Sequence, residues 1–87
     1  MAAAEREKPQ LTVYSRRDCH LCDEMITGLH ELQARFSFAL AIVDIDSDAT
    51  LVSLYGTEVP VLVHRGRELC RHVLSTAFVT DYLAKIR

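Results

Sequence analysis

Two cysteines separated by two residues, Cys19-His20-Leu21-Cys22, stand where the hydrophobic pattern changes period. Before them, Leu11-Thr12-Val13-Tyr14 is a short apolar run of strand type. After them, Cys22, Met25, Leu29, Leu32 and Phe36 recur at three- and four-residue intervals, the stripe of an amphipathic helix. The loop Ser15-Arg16-Arg17-Asp18 joins the two, so the pair sits where a strand feeds into a helix. This junction limits both fold and chemistry. The free N–H groups and dipole of a helix start stabilise a thiolate, and thiols so placed have pKa values of roughly 3.5–7.5 instead of about 8.5. Asp23 and Glu24 suit the positive end of the same dipole. Gly28 weakens the middle of the helix by about 1 kcal/mol relative to alanine, and the pattern gives no reason for it.

The chain has 87 residues, enough for one core with little to spare. A hydrophobic content of 49% with 25% charged residues fits a globular domain, and a net charge of −2 gives no case for nucleic acid or an anionic membrane. No run is long enough to span a membrane, and the first residues lack the apolar segment of a signal peptide. Residues 1–9 read as a flexible tail that Pro9 keeps out of the first strand, and residues 10–87 as a single domain. Three cysteines are an odd number, which speaks against a secreted disulfide framework. A cytoplasmic monomer with one reactive pair and a bystander, Cys70, fits better.

Phe38 to Ile45 is apolar almost throughout, as in a strand covered on both faces. The acidic turn Asp44-Ile45-Asp46-Ser47-Asp48 supplies Ser47 or Asp48 as N-cap of a short helix. Leu51, Leu54 and Tyr55 are its expected buried stripe, and Gly56 its left-handed C-cap. Val59-Pro60-Val61-Leu62-Val63 starts a third strand, and Arg65-Gly66-Arg67 turns it back into Glu68 to Val73 as a hairpin. Ser75 caps a last helix with Phe78, Val79, Tyr82, Leu83 and Ile86 inward. The class is α/β, in the order β-α-β-α-β-β-α, a four-stranded mixed sheet with helices on both faces and a right-handed first crossover.

Three segments together resemble the glutaredoxin-like branch of the thioredoxin-fold proteins: Tyr14 to Cys22, then Tyr55-Gly56-Thr57-Glu58-Val59-Pro60-Val61, and the strand-turn-strand around Gly66. The resemblance runs from about residue 10 to the C-terminus. It implies that Pro60 follows a cis peptide bond facing the cysteines, and that Val59 offers its backbone N–H and C=O to an extended thiol peptide. It also implies that Arg16 occupies the place of a basic residue that binds glutathione's glycine carboxylate. The chain departs from classical glutaredoxins in three places. His20 and Leu21 replace proline and tyrosine between the cysteines. Val73-Leu74-Ser75-Thr76 stands where a Gly-Gly-x-Asp stretch helps hold glutathione, leaving only amides and hydroxyls of Ser75 and Thr76. Val13 stands where thioredoxins carry a buried acid.

The chemistry implied is thiol–disulfide exchange, with Cys19 as nucleophile and Cys22 as resolving thiol. His20, if protonated, and Arg16 or Arg17 favour the Cys19 thiolate; Asp18, Asp23 and Glu24 oppose it. Substrate contacts are expected from Arg16, His20, Val59 and Pro60. The partners are a disulfide-containing protein or glutathione, with glutathione or a protein dithiol as reductant and no tightly bound cofactor. Tyr14 reads as a core aromatic. Metal is the rival chemistry: Cys19, Cys22, Cys70 and His72 include enough soft ligands for zinc. However, Cys70 and His72 are expected to share one face of an edge strand far from the helix start, so no metal site is expected. His30 and His64 show no catalytic spacing. The alternative function is a non-catalytic peptide- or protein-binding module that uses the Val59-Pro60 edge, its cysteines vestigial or structural.

Overall fold

The computed structural model describes residues 8–86, so most of the expected tail, residues 1–7, lies outside the described part. The elements are β1 (Gln10–Ser15), α1 (His20–Leu32), β2 (Ala39–Asp44), a 3-10 turn (Ile45–Ser47), α2 (Ala49–Tyr55), β3 (Val61–His64), β4 (Arg67–Arg71) and α3 (Thr76–Lys85). The sheet order is β2-β1-β3-β4. β1 pairs parallel with β2, while β3 runs antiparallel to both β1 and β4. The β-α-β-α-β-β-α order and the mixed four-stranded sheet are as the sequence implies.

Strand alternation divides the sheet into two unlike faces. Leu11 and Val13 of β1 and Leu62 of β3 meet Met25, Leu29 and Leu32 of α1 and Val79 and Leu83 of α3 in one buried cluster. Tyr14 points to the other face and stacks on Tyr55 of α2, ring centroids 4.6 Å apart. That face is thinly covered, and two expectations fail there. β2 is an edge strand with Ile42 50% exposed, not a strand covered on both sides. α2 buries none of its residues and leaves Leu54 62% exposed; Tyr55 is only half-buried. An apolar run reports hydrophobicity, but its place in the sheet sets its burial. Tyr14 is likewise half-buried rather than a core residue.

Several boundaries also shift. Asp48 caps α2 through its side chain, accepting from the Thr50 N–H at 2.8 Å. Gly56 ends that helix in the right-handed region (φ −47°), and a Cβ there would lie 2.6 Å from the Val52 carbonyl oxygen. Close backbone approach, not a left-handed turn, explains that glycine. The β3–β4 turn does need positive φ, at Arg65 (52°) and Gly66 (78°), as in a type I′ hairpin. β3 begins at Val61 rather than Val59, and β4 ends at Arg71 rather than Val73. Ser75 is the N-cap position of α3 but makes no side-chain cap bond, and Phe78 lies outward, stacked over Tyr82.

Candidate active site

The dithiol sits where β1 ends and α1 begins. Asp18, with φ of +54°, turns the chain sharply, and Cys19 follows in extended conformation as the N-cap of α1. Its Sγ accepts the Cys22 N–H at 3.2 Å, while its carbonyl accepts from Asp23 at 3.1 Å. Cysteine thus fills a place usually held by a serine or aspartate oxygen. A thiolate there gains a charge-assisted hydrogen bond and the positive end of a 13-residue helix. Cys22 is one turn in and 1% exposed, with Leu29 and Met25 following it on the buried stripe. The two Cα atoms are 5.2 Å apart, and the sulfurs are close enough to form a disulfide. One thiol is accessible and the other is held behind it.

The opposite wall comes from the segments flanking β3 and β4. The Val59–Pro60 peptide is cis. The Pro60 carbonyl accepts the His72 N–H at 2.8 Å, and among the described residues no backbone group pairs with Val59. His72 has φ of +69°, and Val73 N–H donates to the Arg71 carbonyl at 2.7 Å across it. That is a γ-turn, a rare and strained conformation for a side-chain-bearing residue. It carries Val73 and Leu74 back to α1, where with His72, Leu21, Glu24 and Met25 they enclose a hollow of about 190 Å³ beside the dithiol. Here the expectation for Cys70 and His72 is corrected: His72 lies beyond β4 and beside the helix start, while Cys70 remains in the strand. Burial pushes the Cys70 thiol up, with Glu68 adding to that shift and a Ser75 backbone hydrogen bond opposing it. Among the described residues, no group of three His, Cys, Asp or Glu side chains is arranged to hold a metal.

Gly28 now has a reason. A Cβ on it would lie 2.6 Å from Leu74 Cδ2, so glycine lets the returning loop pack on the helix. The sequence held no sign of this, because the two residues meet only after the hairpin folds back.

Two expected substrate contacts are otherwise engaged. The Arg16 guanidinium donates to both Asp46 carboxylate oxygens, at 2.8 and 3.3 Å, and to the Gly56 carbonyl at 3.0 Å. It ties the active loop to α2, and its hydrogen bond to Asp46 holds that carboxyl below the usual range. The acidic turn, which folds onto it from 30 residues away, thus engages the guanidinium that the resemblance gave to a substrate carboxylate. His20 is 84% exposed on its side chain and pairs with Glu24, Nε2 to Oε2 2.7 Å, along the helix surface. Glu58 gave no sign in the sequence. Its Oε1 meets Arg71 at 2.8 Å and His72 Nε2 at 3.2 Å. Hydrogen bonds, first from Arg71 and then from Thr57, hold its carboxyl below the usual range. This anchors the γ-turn to the residue preceding Val59.

The family model described as "Glutaredoxin-like domain (DUF836)" matches residues 10–84. A Nitrosomonas europaea protein solved by NMR is 40% identical, over 88% of this chain and 93% of that one, with a TM-score of 0.80. A structural-genomics target protein from X. campestris, solved by X-ray, is 41% identical over 88% and 99% of the two chains, TM-score 0.71. The germline-specific thioredoxin Deadhead of Drosophila is 21% identical over 99% and 88%, TM-score 0.62, a likeness of fold alone.

Proposed function

The chain belongs to the glutaredoxin-like domain family (DUF836), and from that premise we propose that it is a thiol–disulfide oxidoreductase. One observation carries the reading: Cys19 is the N-cap of α1, its sulfur on the Cys22 N–H, with Cys22 buried one turn behind. In the reducing direction the Cys19 thiolate attacks one sulfur of a substrate disulfide. The substrate S–S bond breaks, a mixed disulfide forms, and the departing thiolate takes up a proton. Cys22, giving up its proton, then attacks Cys19 Sγ. The second substrate thiol leaves, and two electrons have moved from the dithiol to the substrate. Two glutathione molecules, leaving as glutathione disulfide, or one protein dithiol then reduce the Cys19–Cys22 disulfide by the same exchange.

The substrate is a protein disulfide in preference to glutathione. Arg16 is held by Asp46 and Gly56, and residues 73–76 carry no charge. Leu21 and Val73 are exposed apolar residues beside the pair, and the free Val59 backbone suits an extended peptide. No helix among the described residues is long and apolar enough to cross a membrane; the odd cysteine count supports a cytoplasmic setting, with the protein acting as a monomer.

The test is alkylation kinetics with redox equilibration. Cys19 should alkylate faster than a free thiol at neutral pH and cycle reversibly with a glutathione or thioredoxin system. Cys22→Ser should accumulate the mixed disulfide and stop dithiol turnover. Ordinary alkylation and no cycling would instead assign the chain to the binding-module alternative.

A further inference from the structure

The cations of this chain are unevenly partnered. Arg16, Arg17, Arg71 and Lys85 each meet a carboxylate. Among the described residues Lys8, Arg35, Arg65 and Arg67 meet none; the Arg35 guanidinium lies 5.5 Å over the Phe36 ring, and the other three gather around the β3–β4 turn. This is the far end of the sheet from the dithiol, since β1 runs from Gln10 there to Ser15 at the active loop and β3 runs back. Two hollows adjoin at that end. One, of about 370 Å³, is lined by Pro9, His64, Arg65, Arg67, Tyr82 and Ile86. The other, of about 500 Å³ on the thinly covered face, shares Pro9, His64 and Arg65 and adds Lys8.

Within the smaller hollow His64 and Arg67 both contact Tyr82. His64 is buried at the end of β3, with Nδ1 2.6 Å from the Tyr82 hydroxyl, which leaves Nε2 as its second ring nitrogen. The register sets Arg67 opposite His64, and the Arg67 guanidinium lies 5.5 Å over the Tyr82 ring. The I′ turn, positive in φ at both central residues, sets Arg65 at the tip.

We propose that this end of the sheet is a phosphate-binding site, separate from the thiol chemistry, that takes inorganic phosphate or a phosphate monoester. Two guanidinium forks match the paired oxygens of phosphate, and Lys8 adds a point charge. The hollow falls in the size range of small-ligand sites, about 300–1,000 Å³. Pro9, Ile86 and the Tyr82 ring give it an apolar wall for the organic part of an ester. α3 turns its electronegative carbonyl end this way, and Asp81 on that helix is held by Lys85. The anion therefore sits on the hairpin side, against Arg65 and Arg67.

The test is a titration of the full chain with inorganic phosphate, then phenyl phosphate, against sodium chloride at matched ionic strength, followed by backbone amide and histidine ring NMR. Saturable shifts at residues 8–10, 64–67 and 82 are expected, with the His64 ring titrating at higher pH when phosphate is bound. An Arg65→Gln/Arg67→Gln double variant should weaken binding at least about tenfold and leave the Cys19 alkylation rate unchanged. The exposed single changes Lys8→Gln and Arg65→Gln should each weaken binding as well, should the double variant fail to fold. Tighter binding of phenyl phosphate assigns the site to a monoester, and equal binding to the free ion. Shifts reproduced by chloride, or binding retained in every variant, would overturn the proposal.

Discussion

Replacing Gly28 by alanine tests whether the hairpin's return loop is seated on α1 as described. An added Cβ would lie 2.6 Å from Leu74 Cδ2. Non-bonded carbons settle at about 3.5–4.0 Å, so that methyl must retreat by about 1 Å. It is the far end of a flexible side chain, so Leu74 yields by rotation. Alanine for glycine inside a helix gains about 0.8–1 kcal/mol. Leu74 is half-buried against the core; full burial of a leucine contributes about 1.5–3 kcal/mol, so losing part of it costs about 1 kcal/mol. The two effects nearly cancel, leaving Gly28→Ala within about 0.5 kcal/mol of the parent. In a Leu74→Ala background nothing stands in the way, and the same change should gain the whole amount. The coupling is therefore about 1 kcal/mol, beyond the roughly 0.3–0.5 kcal/mol expected of independent sites. Urea denaturation of the four proteins at unchanged m-value measures it, and each kcal/mol also moves Tm by about 4–8 °C. Additivity within about 0.3 kcal/mol would show that Leu74 does not account for the glycine. Because Leu74 also lines the hollow beside the dithiol, Gly28→Ala alone should alter turnover of a protein disulfide more than the Cys19 alkylation rate.

Arg16→Gln should leave KM for glutathione disulfide within about twofold while loosening the active loop, seen as faster amide exchange around residues 16–18 and 56. A large rise in KM without faster exchange would return Arg16 to the role of a carboxylate clamp. For His64, burial and then the charge of Arg65 lower the folded-state pKa below its ordinary value. The unfolded chain therefore binds the proton more readily. The contribution is fully present above about pH 6.5 and is lost as pH falls from there through the folded pKa. Unfolding free energy should fall from pH 7 to 5, and the ring should titrate below 6.5 by NMR; a flat stability profile with an ordinary His64 titration contradicts the burial argument. Asp46, Glu58 and Glu68, whose carboxyls are also held low, should add a separate loss in more acid solution. His20→Gln should leave the Cys19 alkylation rate within about twofold, since the ring is committed to Glu24; a large drop would place it back at the sulfur.

Local physics could be read along the chain. The change of period at Cys19, the helical stripe of α1 as far as Leu32, a cap at Asp48 (one of the two residues expected), the Arg65-Gly66 turn and the order of elements depend on neighbours within a few residues, and these appear in the structure. The dithiol at a helix start is of this kind, because the N-cap geometry that places Cys22 N–H on Cys19 Sγ is made within one turn. Some misses were local, as at the Gly56 and Ser75 caps, but the larger ones depend on partners far away in sequence. β2 and α2 are apolar enough to be buried, yet their burial was decided by β2 lying at the sheet edge and α2 lying alone on one face. Arg16 carries a positive charge beside the pair, but Asp46, 30 residues on, engages it. Gly28 has no local purpose at all. By itself, then, the sequence determined a strand–dithiol–helix junction and the chemistry open to it. Only tertiary structure decided which side chains remain available around that junction, because a charge or methyl group is used up by whichever distant partner the fold brings within reach.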